Sequence, residues 1–181
     1  AILGVLDARA EARWRVDGTP QAFEFNAYRF EIRVEDDAGK IDLNEADGAV
    51  IQRLFAAAGV TEAEAAELKD AILDWRSRPP MGGPLSGTAA LNSGAGASNI
   101  APRKGPFQSL DELSLVPGLT APLFEAVKNA VTIYSGRATI DTASAPKLAL
   151  MAYEAIDAAR ADARLAERAI RSGPAGVISD G

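Results

Sequence analysis

Hydrophobic and polar positions alternate along the chain with two different periods. Residues 1–16 carry Ile2, Val5, Leu6 and Trp14 at helical spacing, and Gly18-Thr19-Pro20 ends that pattern. From Phe23 to Val34 the period drops to two, with Phe23, Phe25, Phe30, Ile32 and Val34 set against Glu24, Asn26, Arg29, Glu31 and Arg33. This predicts a half-buried strand, or two strands bent near Asn26. Asp36-Asp37-Ala38-Gly39 reads as a turn, and Lys40 to Leu43 as a short strand.

Helical spacing then returns. Val50, Ile51, Leu54, Phe55 and Ala58 form one stripe behind Asn44, the expected N-cap, and Gly59 closes it. Thr61 and Glu64 make a capping box for a second helix that buries Ala65, Leu68, Ile72 and Trp75. Pro79-Pro80 stops that helix. Residues 79–106 are rich in Gly, Ser, Ala and Pro and show no period, so a long functional or mobile loop is expected. Ser109 and Glu112 make another capping box before a short helix, and Thr120 caps the next one through Leu123, Phe124, Val127 and Ala130. Residues 131–134 and 138–140 read as strand, turn and strand. A broken helix follows from Pro146 to about Arg171, capped by Thr142 or Ser144.

Composition narrows the chemistry. The 181 residues are 48% hydrophobic, enough for a sizeable core, but only 6% aromatic. There is no Cys and no His, which removes Ser-His-Asp and Cys-His catalysis and His/Cys zinc sites. A net charge of −6 disfavours nucleic-acid backbones and anionic membranes. No stretch reaches the ~20 apolar residues of a membrane span. The chain starts within a helical pattern and without Met, so we read it as trimmed at its N-terminus.

The carboxylates offer two kinds of site. Asp36, Asp37, Asp42 and Asp47 are hard-oxygen calcium candidates, although the Asp-x-Asp-x-Asp-Gly spacing is absent. Capping and solvated turns account for the same residues. Asp70 and Asp74 share a helix face, whereas glycosidase carboxylates flank a bond across a cleft, so no catalytic residue is assigned. Residues 115–120, Leu-Val-Pro-Gly-Leu-Thr, resemble a helix-hairpin-helix turn. That motif supports a rival reading as a nucleic-acid-binding protein, against which stand Asp111, Glu112 and Glu125 beside it. A calcium-stabilised secreted module is a third reading.

Two segments echo each other. Gly-Lys-Ile-Asp-Leu-Asn-Glu-Ala occupies 39–46, and Ala-Thr-Ile-Asp-Thr-Ala-Ser-Ala-Pro occupies 138–146. Between them lie Asp74-Trp75-Arg76 and Gly-Pro-Phe-Gln-Ser-Leu-Asp-Glu-Leu at 105–113, running on to Thr120. In this order, across about residues 30 to 150, the segments resemble the K-type minor pseudopilins of bacterial type II secretion. The second copy departs from the family in having Ala143 where Asn is usual, and little strand-forming sequence follows residue 140.

The resemblance implies an α+β fold: a pilin-like α/β domain with a large, mostly helical insertion of helix-hairpin-helix or SAM-like helices. The expected divisions are 1–43, the insertion at 44–130, and a return segment at 131–181. The resemblance further implies a non-enzymatic tip subunit of a periplasmic pseudopilus that helps start or cap assembly. Its partners would be the I- and J-type minor pseudopilins, with contact to secreted proteins left open and no nucleic acid. The full protein would be anchored in the inner membrane by an N-terminal helix, and Ile2, Val5 and Leu6 would contact partners or the sheet. No cofactor is required in this reading, and calcium is allowed.

Overall fold

The computed structural model describes residues 15–26, 28–77, 105–172 and 178–179. Residues 1–14 of the expected helix at 1–16, with Ile2, Val5 and Leu6, and nearly all of the 79–106 loop lie outside these residues; Arg15 and Val16 are not helical.

The alternating segment folds as a hairpin. Strand β1, Gln21–Phe25, pairs antiparallel with β2, Tyr28–Ile32, in a register that sets Phe23 opposite Phe30 and Phe25 opposite Tyr28. The bend falls at Asn26, whose φ of +47° suits an Asn, which tolerates the left-handed region. Beyond the hairpin, Asp17 bridges Glu35, and a 3₁₀ turn at Asp37–Gly39 leads into β3, Ile41–Asp42. The Asp36 side chain caps that turn by accepting from Ala38 N–H.

Helices α1, Gly48–Ala57, and α2, Glu62–Arg76, follow as the stripes predict, and the Thr61–Glu64 capping box is complete in both directions. The segment after Ser109 is a 3₁₀ helix, Leu110–Leu115, and Glu112 accepts from Gln108 N–H rather than from Ser109. Helix α3, Ala121–Val127, starts at Thr120, but the threonine side chain makes no cap bond. The chain then enters β4, Val131–Thr132, which lies parallel to β3.

The expected strands at 131–134 and 138–140 shorten to those two residues. The backbone turns away after Thr132 because Ser135 and Gly136 are drawn to a buried carboxylate, Asp42. Helices α4, Lys147–Glu154, and α5, Ala158–Ser172, break at Ala155, which sits at φ +53°. A last strand, β5, Ile178–Ser179, joins β1 in parallel and had no signal in the sequence pattern.

The fold is therefore α+β, with a three-stranded sheet of order β2-β1-β5 and a two-stranded sheet of β3 and β4. One continuous core runs from Ile41 through α1, α2, the hairpin turn at Val116 and α3 to Ala149, Leu150 and Ala152 of α4. Its largest fully buried side chains include Phe55, Ile51, Leu54 and Ile72, and each such residue contributes roughly 1.5–3 kcal/mol of burial.

Candidate functional site

Sequence segments far apart in the chain meet at the end of β3. Ile41 and Leu43 are buried in the core, and the side chain between them, Asp42, is only 1% exposed. A carboxylate so placed must have its lone pairs satisfied. Asp42 Oδ1 accepts Asn44 N–H at 2.9 Å, and Oδ2 accepts Gly136 N–H at 2.8 Å and Ser135 O–H at 3.1 Å. One side chain thus closes its own turn and holds the segment that leaves β4.

Asn44 was expected to cap α1. That role belongs to Asp47, which accepts Ala49 N–H at 2.7 Å. Asn44 instead pairs with the backbone of Phe107, accepting its N–H at 2.7 Å and donating Nδ2–H to its carbonyl at 3.1 Å. The Phe107 ring stacks on Trp75 at 5.7 Å, and Gly105 N–H donates to the Trp75 carbonyl at 2.8 Å. Arg76 completes the knot by donating to the carbonyls of Leu43 at 2.9 Å and Ala46 at 2.7 Å. Burial pushes the Arg76 guanidinium down, while the nearby charges of Glu45, Asp47 and Asp42 push it up.

The second copy repeats this geometry in part. Asp141 Oδ1 accepts Ala143 N–H at 2.9 Å, as Asp42 does from Asn44. Each aspartate carbonyl also accepts the N–H three residues on, from Glu45 at 3.3 Å and Ser144 at 3.2 Å. The next helix has its N-cap five residues after each aspartate, at Asp47 and at Pro146. Neither Thr142 nor Ser144 caps α4, because Pro146 stands at the N-cap itself. Arg168 of α5 donates to the carbonyls of Ala143 at 3.1 Å and Ala145 at 2.8 Å, the counterpart of the Arg76 clasp. It too is pushed down by burial, with Asp17 opposing.

The two copies touch. Asp141 N–H donates to the Ala38 carbonyl at 2.7 Å, and Arg53 Nε donates from α1 to the Ala152 carbonyl of α4 at 2.6 Å. Gly39 lies so close to the second turn that a Cβ there would sit 2.7 Å from Ala145 N and Ser144 C. Asp17 ties Arg168 to the hairpin side of the molecule, at 3.6 Å from Arg168 and 2.7 Å from Arg15. Burial pushes the Asp17 carboxyl up, but bonds from Arg15 and Thr19 and the Arg15 charge outweigh it and hold the pKa at about 2.

The calcium candidates are occupied otherwise. Asp36 and Asp47 cap helical turns, Asp42 is enclosed by its three donors, and Asp37 pairs with Lys40 at 3.2 Å. Lys40 also holds Glu35 at 2.9 Å. Burial lowers the Lys40 pKa, but these two carboxylates outweigh it and raise the value. Among the described residues no group of three or more His, Cys, Asp or Glu side chains is placed to hold a metal ion. Asp70 and Asp74 are exposed on α2, and Asp70 pairs with Lys69.

The hairpin at 116–120 works as packing. Val116 is buried, Gly118 at φ +86° lies against Leu68, and Lys128 is paired with Glu125. The arrangement as a whole joins remote segments of the chain. A family model described as type II secretion system (T2SS), protein K, matches residues 25–136. The matched stretch holds the whole first knot, including Gly136, whose N–H closes on Asp42, and it ends before the second turn. No curated protein matches the chain.

Proposed function

Because this chain belongs to the type II secretion system protein K family, the K-type minor pseudopilins, we propose that it is a structural subunit at the tip of the pseudopilus. There it assembles with the I- and J-type minor pseudopilins and starts or caps the filament. The family match carries the pseudopilus role. What supports the tip position is the knot at Asp42. The helical body between β3 and β4 is fastened at entry by Arg76 and Asn44 and at exit by Ser135 and Gly136. A bulky body held that firmly obstructs the addition of a further subunit on its side. We take residues 44–130 as the inserted body, residues 1–43 and 131–181 as the pilin-like remainder, and Ile2, Val5 and Leu6 as partner contacts. The reading places the domain in the periplasm, anchored by a preceding helix; no described helix is long and apolar enough to cross a membrane.

Co-expression with I- and J-type partners tests the assembly role, with a complex surviving gel filtration as the expected result. A chain that elutes alone from every such mixture counts against it. Labelling the subunit and locating it by electron microscopy tests the tip role, and labels spread along the filament exclude it. No cofactor is needed in this reading, and a calcium-dependent rise in melting temperature, reversed by chelator, would require one to be added.

A further inference from the structure

The two helix pairs differ most where their counterparts face inward. Superposing Asp42 on Asp141 by position pairs Leu43 with Thr142, Ile51 with Leu150 and Phe55 with Glu154. Leu43, Ile51 and Phe55 are fully enclosed in the core. Thr142 and Glu154 instead line an open pocket of about 380 Å³ between α4 and α5, whose floor is the buried Leu150. Its remaining wall is Ala143 and three arginines of α5, Arg164, Arg168 and Arg171.

The arginines are not equally engaged. Arg168 is 14% exposed and committed to the turn carbonyls and Asp17. Arg164 is 60% exposed, and its ion-pair partner among the described residues is Glu154, at a long 3.6 Å. Arg171 is exposed and has no carboxylate partner among the described residues. Exposed guanidiniums at the mouth of a pocket, on a chain of net charge −6, run against the charge of the rest of the molecule. The planar fork of Arg matches a carboxylate with two parallel bonds. The fold already seats an extended segment at the corresponding place in the first copy, where Asn44, the counterpart of Ala143, takes both backbone groups of Phe107.

We propose that this pocket receives an extended acidic segment of a partner protein, with its carboxylates taken by Arg164 and Arg171. Ala143, lacking the amide of Asn44, leaves the lip open for a chain that is not this one. The proposal does not depend on the tip position. Its test uses fluorescein-labelled hexaglutamate and fluorescence anisotropy. The parent protein binds the peptide, and binding weakens as salt is raised. The charge-reversed variant R164E/R171E, altered only at exposed positions, keeps its circular dichroism melt and loses about tenfold in affinity or more. The variant R160E, on the same helix but outside the pocket, stays within about twofold of the parent.

Absence of binding overturns the proposal, as does equal binding by parent and R164E/R171E. An equal loss in R160E also overturns it, since the attraction would then be diffuse. Capture of phosphatidylglycerol vesicles by the parent alone, with hexaglutamate ignored, assigns the pocket to a lipid surface and rejects the peptide.

Discussion

The turns at Asp42 and Asp141 have the same local form and opposite settings. Both aspartates accept the N–H two residues on at 2.9 Å, both precede a helix by the same interval, and both turns are clasped by an arginine from the second helix of the pair. Asp42 is buried and spends its second oxygen on residues 93 and 94 positions away. Asp141 is exposed and spends its second oxygen on Ser144, three positions away. The first turn is a junction of the fold. The second is a local stop that leans on the first through Gly39 and Ala38. A turn of the same local form can therefore be structural glue or surface, depending on what the free carboxylate oxygen meets.

The largest test of that contrast removes the carboxylate from each copy. Asp42→Ala takes the buried acceptor away from Asn44 N–H, Gly136 N–H and the Ser135 hydroxyl, all in half-buried bonds. The expected loss is about 3–4 kcal/mol, read as a fall in the urea midpoint. Asp141→Ala loses one exposed and one half-buried local bond and should cost about 1 kcal/mol or less. Equal costs would mean that the second turn carries as much of the fold as the first.

Next in size is the contact between the copies. Gly39→Ala drives a Cβ to 2.7 Å from the backbone of Ser144 and Ala145, which can give way only by moving the second turn. A loss of about 2–3 kcal/mol in chemical denaturation is expected. A neutral result would show that the second turn shifts freely and that the two copies are not coupled.

A smaller effect comes from the amide that separates Asn44 from Ala143. Asn44→Ala removes both bonds to the Phe107 backbone, at a cost of about 1–2 kcal/mol. It should also loosen the Trp75–Phe107 stack, visible as a change in tryptophan fluorescence. An unchanged spectrum would mean that stacking alone holds the 105–107 segment.

Local signals were legible in the sequence where their partners are local. The capping box at Thr61 and Glu64, the stripes of α1 and α2 and the bend at Asn26 all stand where short-range rules put them. The role of Asn44 was not legible, because strand-Asn-helix satisfies the capping rule and its true partner lies 63 positions away. Asp47, three residues on, offered an equally good cap and took it. Arg168 carries no short-range signal that sets it apart from the other charges of its helix. The structure buries it between a turn and Asp17, a contact no periodicity encodes. The echo of the two Ile-Asp segments was visible. Their unequal burial follows from tertiary packing, and packing leaves no mark at an aspartate.

An effect of similar size is the acid response of the Asp17 carboxylate beside the second clasp. Asp17 holds Arg15 and Arg168 and has its pKa lowered from 3.8 to about 2. A carboxylate with a depressed folded pKa stabilises the fold above its unfolded value and loses that contribution as pH falls through the folded one. Stability from this group should therefore be complete above about pH 4 and drain away toward pH 2. The contribution is roughly 1–2 kcal/mol, less than the full shift because the site is partly hydrated. Asp17→Asn removes most of it at neutral pH, so parent and variant should differ at pH 7 and converge near pH 2 in urea midpoints. Adding Arg168→Leu to Asp17→Asn separates the clasp from the Arg15 pair. Because Arg15 and Thr19 hold the Asp17 carboxyl low, Arg168→Leu alone should leave the acid response in place, and a flattened response would assign it to the clasp instead. A response that survives Arg168→Leu belongs to Arg15 and Thr19, and the second turn is then held by Arg168 without help from the hairpin side.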